Sequence, residues 1–118
     1  MKAQQYVTYI LRLGVVGIFA GHGWLAFHLN SHWFTYLHTA GIQSPNYAVV
    51  MKIIGVMDIC IALITLVKPL PSVLLWAAFW AFLTALMRPI NGEAWVGFVE
   101  RAGNWACPLA LWFWMKKR

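Results

Sequence analysis

The sequence predicts an all-α integral membrane protein, a four-helix bundle with both termini in the cytoplasm. Three observations predict it. The 118 residues are 62% apolar and only 10% charged, whereas a soluble domain carries about a quarter charged residues. Four runs approach the roughly 20 apolar residues that cross a hydrocarbon core. Clusters of Pro, Gly and Asn separate those runs. The same arithmetic excludes a soluble globule, a disordered chain and a collagen-like fibre. Two distant cysteines, Cys60 and Cys107, exclude a disulfide scaffold. The length allows one domain, residues 1–118, with spans at about 6–29, 47–67, 72–87 and 94–115. The runs are unbroken and do not alternate, which argues against strands.

The first span follows Lys2 and resembles a signal peptide in outline. Arg12 interrupts its apolar run and no Ala-x-Ala site follows cleanly, so it reads as a span. Gly14, Gly17 and Gly21 make a small face that lets another helix approach closely. His22 lies one residue round from that face. The loop after it carries Asn30, Gly41, Ser44 and Pro45, and the histidines His28, His32 and His38. With no carboxylate beside them these read as interface histidines, and no metal site is expected.

In the second span, Gly55, Asp58, Ala62 and Thr65 follow i, i+3, i+7, i+10 and form one small, polar stripe. Lys52 sits near the span's end, where its stem can snorkel. Pro69 and Pro71 separate the second span from the third. The third is short and should stand upright. Ala77, Ala81, Thr84 and Arg88 share one of its faces, so Arg88 points inward or snorkels at the rim. Trp76, Phe79, Trp80 and Phe82 read as packing or lipid contacts, with the stacking of a flat ring as the alternative. Pro89, Asn91 and Gly92 end that span. The fourth carries Glu100, Arg101 and Asn104 inside an apolar helix, with Pro108 beyond them. Lipid exposure of that trio costs several kcal/mol, so it should face inward.

Charge sets the orientation. Lys2, Lys68, Lys116, Lys117 and Arg118, with Arg12 nearby, fall on one side. Arg88 and Lys52 lie near the other rim, and the 30–45 loop has no Lys or Arg. The net charge of +6 therefore reads as this asymmetry plus attraction to anionic lipid. It does not read as nucleic-acid binding, since no basic face with stacking aromatics stands outside the membrane. Tyr6, Tyr9, Trp33, Tyr36, Tyr47, Trp95, Trp112 and Trp114 fall near span ends, where amphipathic rings belong.

Depth then joins separate segments. At about 1.5 Å per residue, His22, Arg88, Glu100, Arg101 and Asn104 fall in the outer half of the bilayer, with Asp58 just below. Two readings fit: a structural ion-pair network, in which Asp58 pairs with an arginine, or a buried polar ligand site. Cys60 and Cys107 read as small hydrophobes rather than a redox pair. No Ser/His/Asp order, phosphate loop or dinucleotide fingerprint is present, and catalytic residues stay unassigned.

Leu11-Arg12-Leu13-Gly14, then Phe19, then His22-Gly23-Trp24, with Gly55-Val56-Met57-Asp58 in the second span, resemble the DoxX/DoxD-like family of small four-helix membrane proteins. Family members show Arg-x-Gly, a Phe and a His-Gly in helix 1, and Gly-x-x-Glu in helix 2. Asp58 stands where the family has the glutamate. The resemblance implies a multi-pass protein of a bacterial inner membrane. Its DoxD branch is associated with thiosulfate:quinone oxidoreduction beside a second subunit. From this follows the expectation of a quinone or small polar ligand in the outer-half site. Arg88 or Arg101 would hold an oxygen or anion, and His22 and Glu100 would handle protons. No redox cofactor motif is present, so electron transfer implies a protein partner. Two other readings stay open: an accessory or assembly subunit, and a small-solute transporter acting as a homo-oligomer.

Overall fold

The computed structural model describes residues 2–28 and 33–116. The described residues are helical, with no strand among them. The helices are α1 (Ala3–Phe27), α2 (Phe34–Thr39), α3 (Tyr47–Val67), α4 (Pro71–Ile90), α5 (Val96–Val99) and α6 (Ala102–Lys116). A 3-10 turn at Ser44–Asn46 leads into α3. α1, α3 and α4 are long and apolar enough to cross a membrane. The expectations placed on Leu29, Asn30, His32, Lys117 and Arg118 lie outside the described residues.

α1 begins at Ala3, earlier than the predicted residue 6, because the Gln5 side chain accepts a hydrogen bond from the Lys2 N–H at 3.2 Å. It ends at Phe27, two residues short of the expected 29. α4 opens with Pro71 in its first turn, where a missing N–H costs nothing. It then runs through Pro89 to Ile90, three residues beyond the predicted end. Pro89 removes one donor from the last turn, and Gly92 closes the end in a left-handed conformation (φ 88°). The Glu93 N–H reaches the Arg88 carbonyl at 3.0 Å and the Gly92 N–H reaches Pro89 at 3.1 Å. This is a Schellman cap. Gly41 (φ 94°) closes α2 the same way, through bonds to His38 and Leu37.

The fourth predicted span is not one helix. α5 stops at Val99, Glu100 and Arg101 form a turn, and α6 starts at Ala102. Gly97 and Gly103 flank the break, and each weakens a helix by about 1 kcal/mol relative to Ala. The charged pair at 100–101 has local partners that compete with helix continuation: Arg101 reaches the Glu100 carboxylate at 2.6 Å and the Gly97 carbonyl at 3.4 Å.

Packing is antiparallel throughout. α1 lies along α3, α4 along α6, α1 also meets α6, and α3 touches α4 more sparsely. Val15, Phe19, Ile61, Ala62, Leu74, Ala77, Ala81 and Leu111 form the main core. The α1–α3 seam is closest at Gly23 and Gly55. A Cβ on Gly23 would stand 2.9 Å from the Gly55 carbonyl, and one on Gly55 only 2.8 Å from the Phe27 nitrogen. Of the glycine face predicted on α1, only Gly14 is used, against the Cys107 sulfur of α6. Gly17 and Gly21 face open space. The seam turns instead on Gly23, because Val15, Phe19, Gly23 and Ala26 form the face that α1 buries. Arg12 fastens the far end of the seam. Its Nε donates to the Thr65 carbonyl at 3.2 Å, and a terminal nitrogen to Leu66, so it caps the C-terminus of α3.

Candidate functional site

Where α3 and α4 part, a cavity of about 460 Å³ opens between α1, α2, α3 and α4. That volume suits a small-molecule site. Its wall is mostly apolar, with Phe19, Leu37, Met51, Ile54, Trp80, Leu83 and Met87. His22, Asp58, Arg88 and Arg101, contributed by four different segments, add the charged and titratable groups.

Asp58 comes from the buried stripe of α3, with Met51, Gly55, Ile61, Ala62 and Thr65. It is only 3% exposed, and its Oδ1 has no hydrogen-bond partner among the described residues. The Trp80 indole faces the same carboxyl from α4. The arginine partner open to it on the sequence is not there: among the described residues the ion pair is Glu100–Arg101, and Asp58 takes no part in it.

Arg88 comes from the buried face of α4, three turns on from Ala77 through Ala81 and Ala85. It is 6% exposed. One terminal nitrogen donates to the Thr84 carbonyl at 2.6 Å, back down its own helix. The guanidinium lies over the Tyr36 ring, 4.5 Å from its centroid. Its Nε has no partner among the described residues. A buried guanidinium without a carboxylate in contact is costly, so both groups are incomplete as they stand.

His22 is half-buried on the cavity wall, edge-on to Trp33 with ring centroids 5.9 Å apart. Arg101 also reaches the wall, and α5 brings Gly97 against the Arg88 stem. The other two expected residues do not join. Glu100 is 62% exposed and turns outward. The break at 100–101 ends the continuous helix on which Glu100 and Asn104 would have shared a face. Asn104 is half-buried in α6 and off the cavity wall.

Two neighbours of Arg88 are not among the expected site residues. Tyr36, assigned by sequence to an interface belt, forms part of the wall from α2. Glu93 is hydrogen-bonded to its phenol. Burial, helped by that bond, raises the Tyr36 phenol above the ordinary tyrosine value, with Arg88 opposing. A signal was present: Glu93 is one of only three acidic residues, and the glycine after Asn91 turns it back toward Arg88. α2 is further pinned to the end of α4, since Asn91 donates to Thr35 at 3.2 Å and accepts from Thr39. Among the described residues, no group of three or more His, Cys, Asp or Glu side chains is placed to hold a metal ion. Comparison of the chain with protein-family models, curated proteins and solved structures returned no match, so the reading of function rests on the chemistry of the cavity.

Proposed function

We propose that this chain is a four-span, DoxX-like protein of a bacterial inner membrane, with both termini in the cytoplasm and α5 and α6 together forming the fourth crossing. In this reading the cavity binds a quinone, or another small, flat, oxygen-bearing ligand, and the chain works as a subunit of a membrane redox complex. The observation that carries it is the pair of buried residues Arg88 and Asp58, each with a side-chain atom lacking a hydrogen-bond partner among the described residues, in the wall of one largely apolar cavity. A ring oxygen would complete the donor set of Arg88. Phe19, Trp80, Leu83 and Met87 would hold the ring by contact and exclude water. His22 and Asp58 are placed to exchange protons with a bound oxygen. A bound quinone would supply two-electron, two-proton carrier chemistry, and its electrons would come from a partner subunit.

The test is gentle detergent extraction followed by mass spectrometry of co-purified lipid and protein. A stoichiometric quinone, retained at least about tenfold less by Arg88→Gln in folded protein, is the expected result. Folded protein that never carries such a ligand rejects the reading.

A second reading, an accessory subunit docking another membrane protein, has its own observation. Trp95, Val96 and Val99 around α5 and Phe113 on α6 leave large apolar side chains uncovered. Co-purification of one protein partner, lost when Trp95 and Val99 are changed to alanine while the cavity variants retain it, would favour that reading.

A further inference from the structure

We infer that the cavity is entered sideways from the bilayer, through the gap between α3 and α4, and that one acyl chain of a membrane lipid fills it. This goes beyond the redox reading and does not rest on it: a ligand of another kind would have to displace the chain.

The gap has a floor, a roof and an open side. Its inner end is closed where the Trp76 indole N–H of α4 donates to the Met57 sulfur of α3 at 3.3 Å. Its outer end is covered by α2, with Tyr36 against the Arg88 guanidinium and Leu37 buried. The back wall lies deep in the packed helices: Phe19 and Met51 are only 1% and 2% exposed. On the remaining side, Leu83 and Ile90 of α4 line the cavity while 37% and 57% exposed. Val50 and Ile54 line the α3 side of this mouth, half-buried. The side chains that flank it, Ile53 and Phe79, are exposed and apolar. Both helices are long and apolar enough to cross a membrane, so lipid hydrocarbon stands at the mouth.

What stands there decides the occupant. An empty apolar void forfeits the dispersion contacts of its lining, and water does not fill such a void. A chain that slides in from the bilayer restores those contacts without a desolvation cost, because lipid tails are as apolar as leucine. Most of the wall is aliphatic or aromatic, so the chain meets matching surface along its length. The volume also fits. A dry cavity of about 150 Å³ takes the six carbons of one benzene, so at that density about 460 Å³ takes roughly eighteen carbons, a single acyl chain.

The same chain chemistry has two sources: an intact phospholipid or a free fatty acid. The experiment uses the full chain in phosphatidylglycerol nanodiscs. Separate arms are doped with a phosphatidylcholine and with a fatty acid, each carrying a diazirine at the chain end. After irradiation, mass spectrometry of peptides maps the adducts. Adducts on Phe19 or Met51, which lipid around the bundle cannot touch, are the expected result. Adducts confined to outward residues such as Val49, Ile53 and Phe79 overturn the inference. Leu83→Trp narrows the mouth and should cut the inner-wall adducts about tenfold relative to those on Phe79 in the same sample. Unchanged inner-wall adducts in the folded variant overturn entry between α3 and α4. The first map is made on the unaltered protein, so a misfolded variant does not shield the inference. Inner-wall adducts from the phospholipid assign the bilayer lipid itself, and adducts from the fatty acid alone assign the free acid. Both results support occupation by a chain. A quinone that co-purifies while the inner wall stays unlabelled rejects this inference and leaves the redox reading standing, and inner-wall adducts in quinone-free protein do the reverse.

Discussion

The seam between α1 and α3 and the opening between α3 and α4 lie side by side along α3, and they are built on opposite principles. At the seam, Gly23 and Gly55 bring backbone close to backbone, with the Ile59 side chain packed against Gly23. At the opening, Asp58 and Arg88 stand on neighbouring helices without pairing, and a cavity of about 460 Å³ lies beside them. Small residues let helices close, whereas bulky or polar ones that find no partner hold them apart. The difference also separates roles: the seam secures the fold, and the opening carries unsatisfied groups that a stability argument alone does not explain.

Substitutions should therefore act differently in the two regions. The largest effect is expected from Gly55→Leu, which forces a branched side chain into the Phe27 backbone. It should cost about 3 kcal/mol or more and lower the yield of folded protein, read by unfolding in detergent. Arg12→Ala should cost about 1–2 kcal/mol by uncapping α3, in the same assay. Arg88→Met removes a buried charge that has no carboxylate in salt-bridge contact, so stability should hold within about 1 kcal/mol or rise. Ligand retention should nevertheless be lost, and a large stability loss without any ligand effect would make Arg88 a structural residue. Gly17→Ala, on the open part of α1, should be neutral or slightly stabilising, by at most about 1 kcal/mol.

A last prediction sharpens the cavity side by pH. The Tyr36 phenol is raised, so its stabilising contribution is fully present below the unfolded tyrosine value near 10. It fades as pH climbs through the higher folded value. Ultraviolet titration should show a late-ionising tyrosine component, and Tyr36→Phe should remove it.

The legible parts of the molecule are those where one face differs chemically from the rest. α3 is such a case: Gly55, Asp58, Ala62 and Thr65 were readable as one stripe, and all four are buried. The Ala77-to-Arg88 face of α4 was readable for the same reason. α1 was not, because its glycines occur on two sides and spacing alone does not say which side meets a partner. Glu100 was expected to face inward on an unbroken helix. A turn of two residues was enough to rotate it outward.

The sequence by itself determined the helical class, the bounds of α3, the approximate places of α1 and α4, and the scarcity of charge that makes each buried ionisable group costly. A helix that is apolar nearly all round carries little pattern to orient it. Which faces meet was therefore decided by shape, through the approach of Gly23 to Gly55 and of Gly14 to Cys107. That choice left Asp58 and Arg88 around a common cavity without pairing them, which only the packed helices reveal.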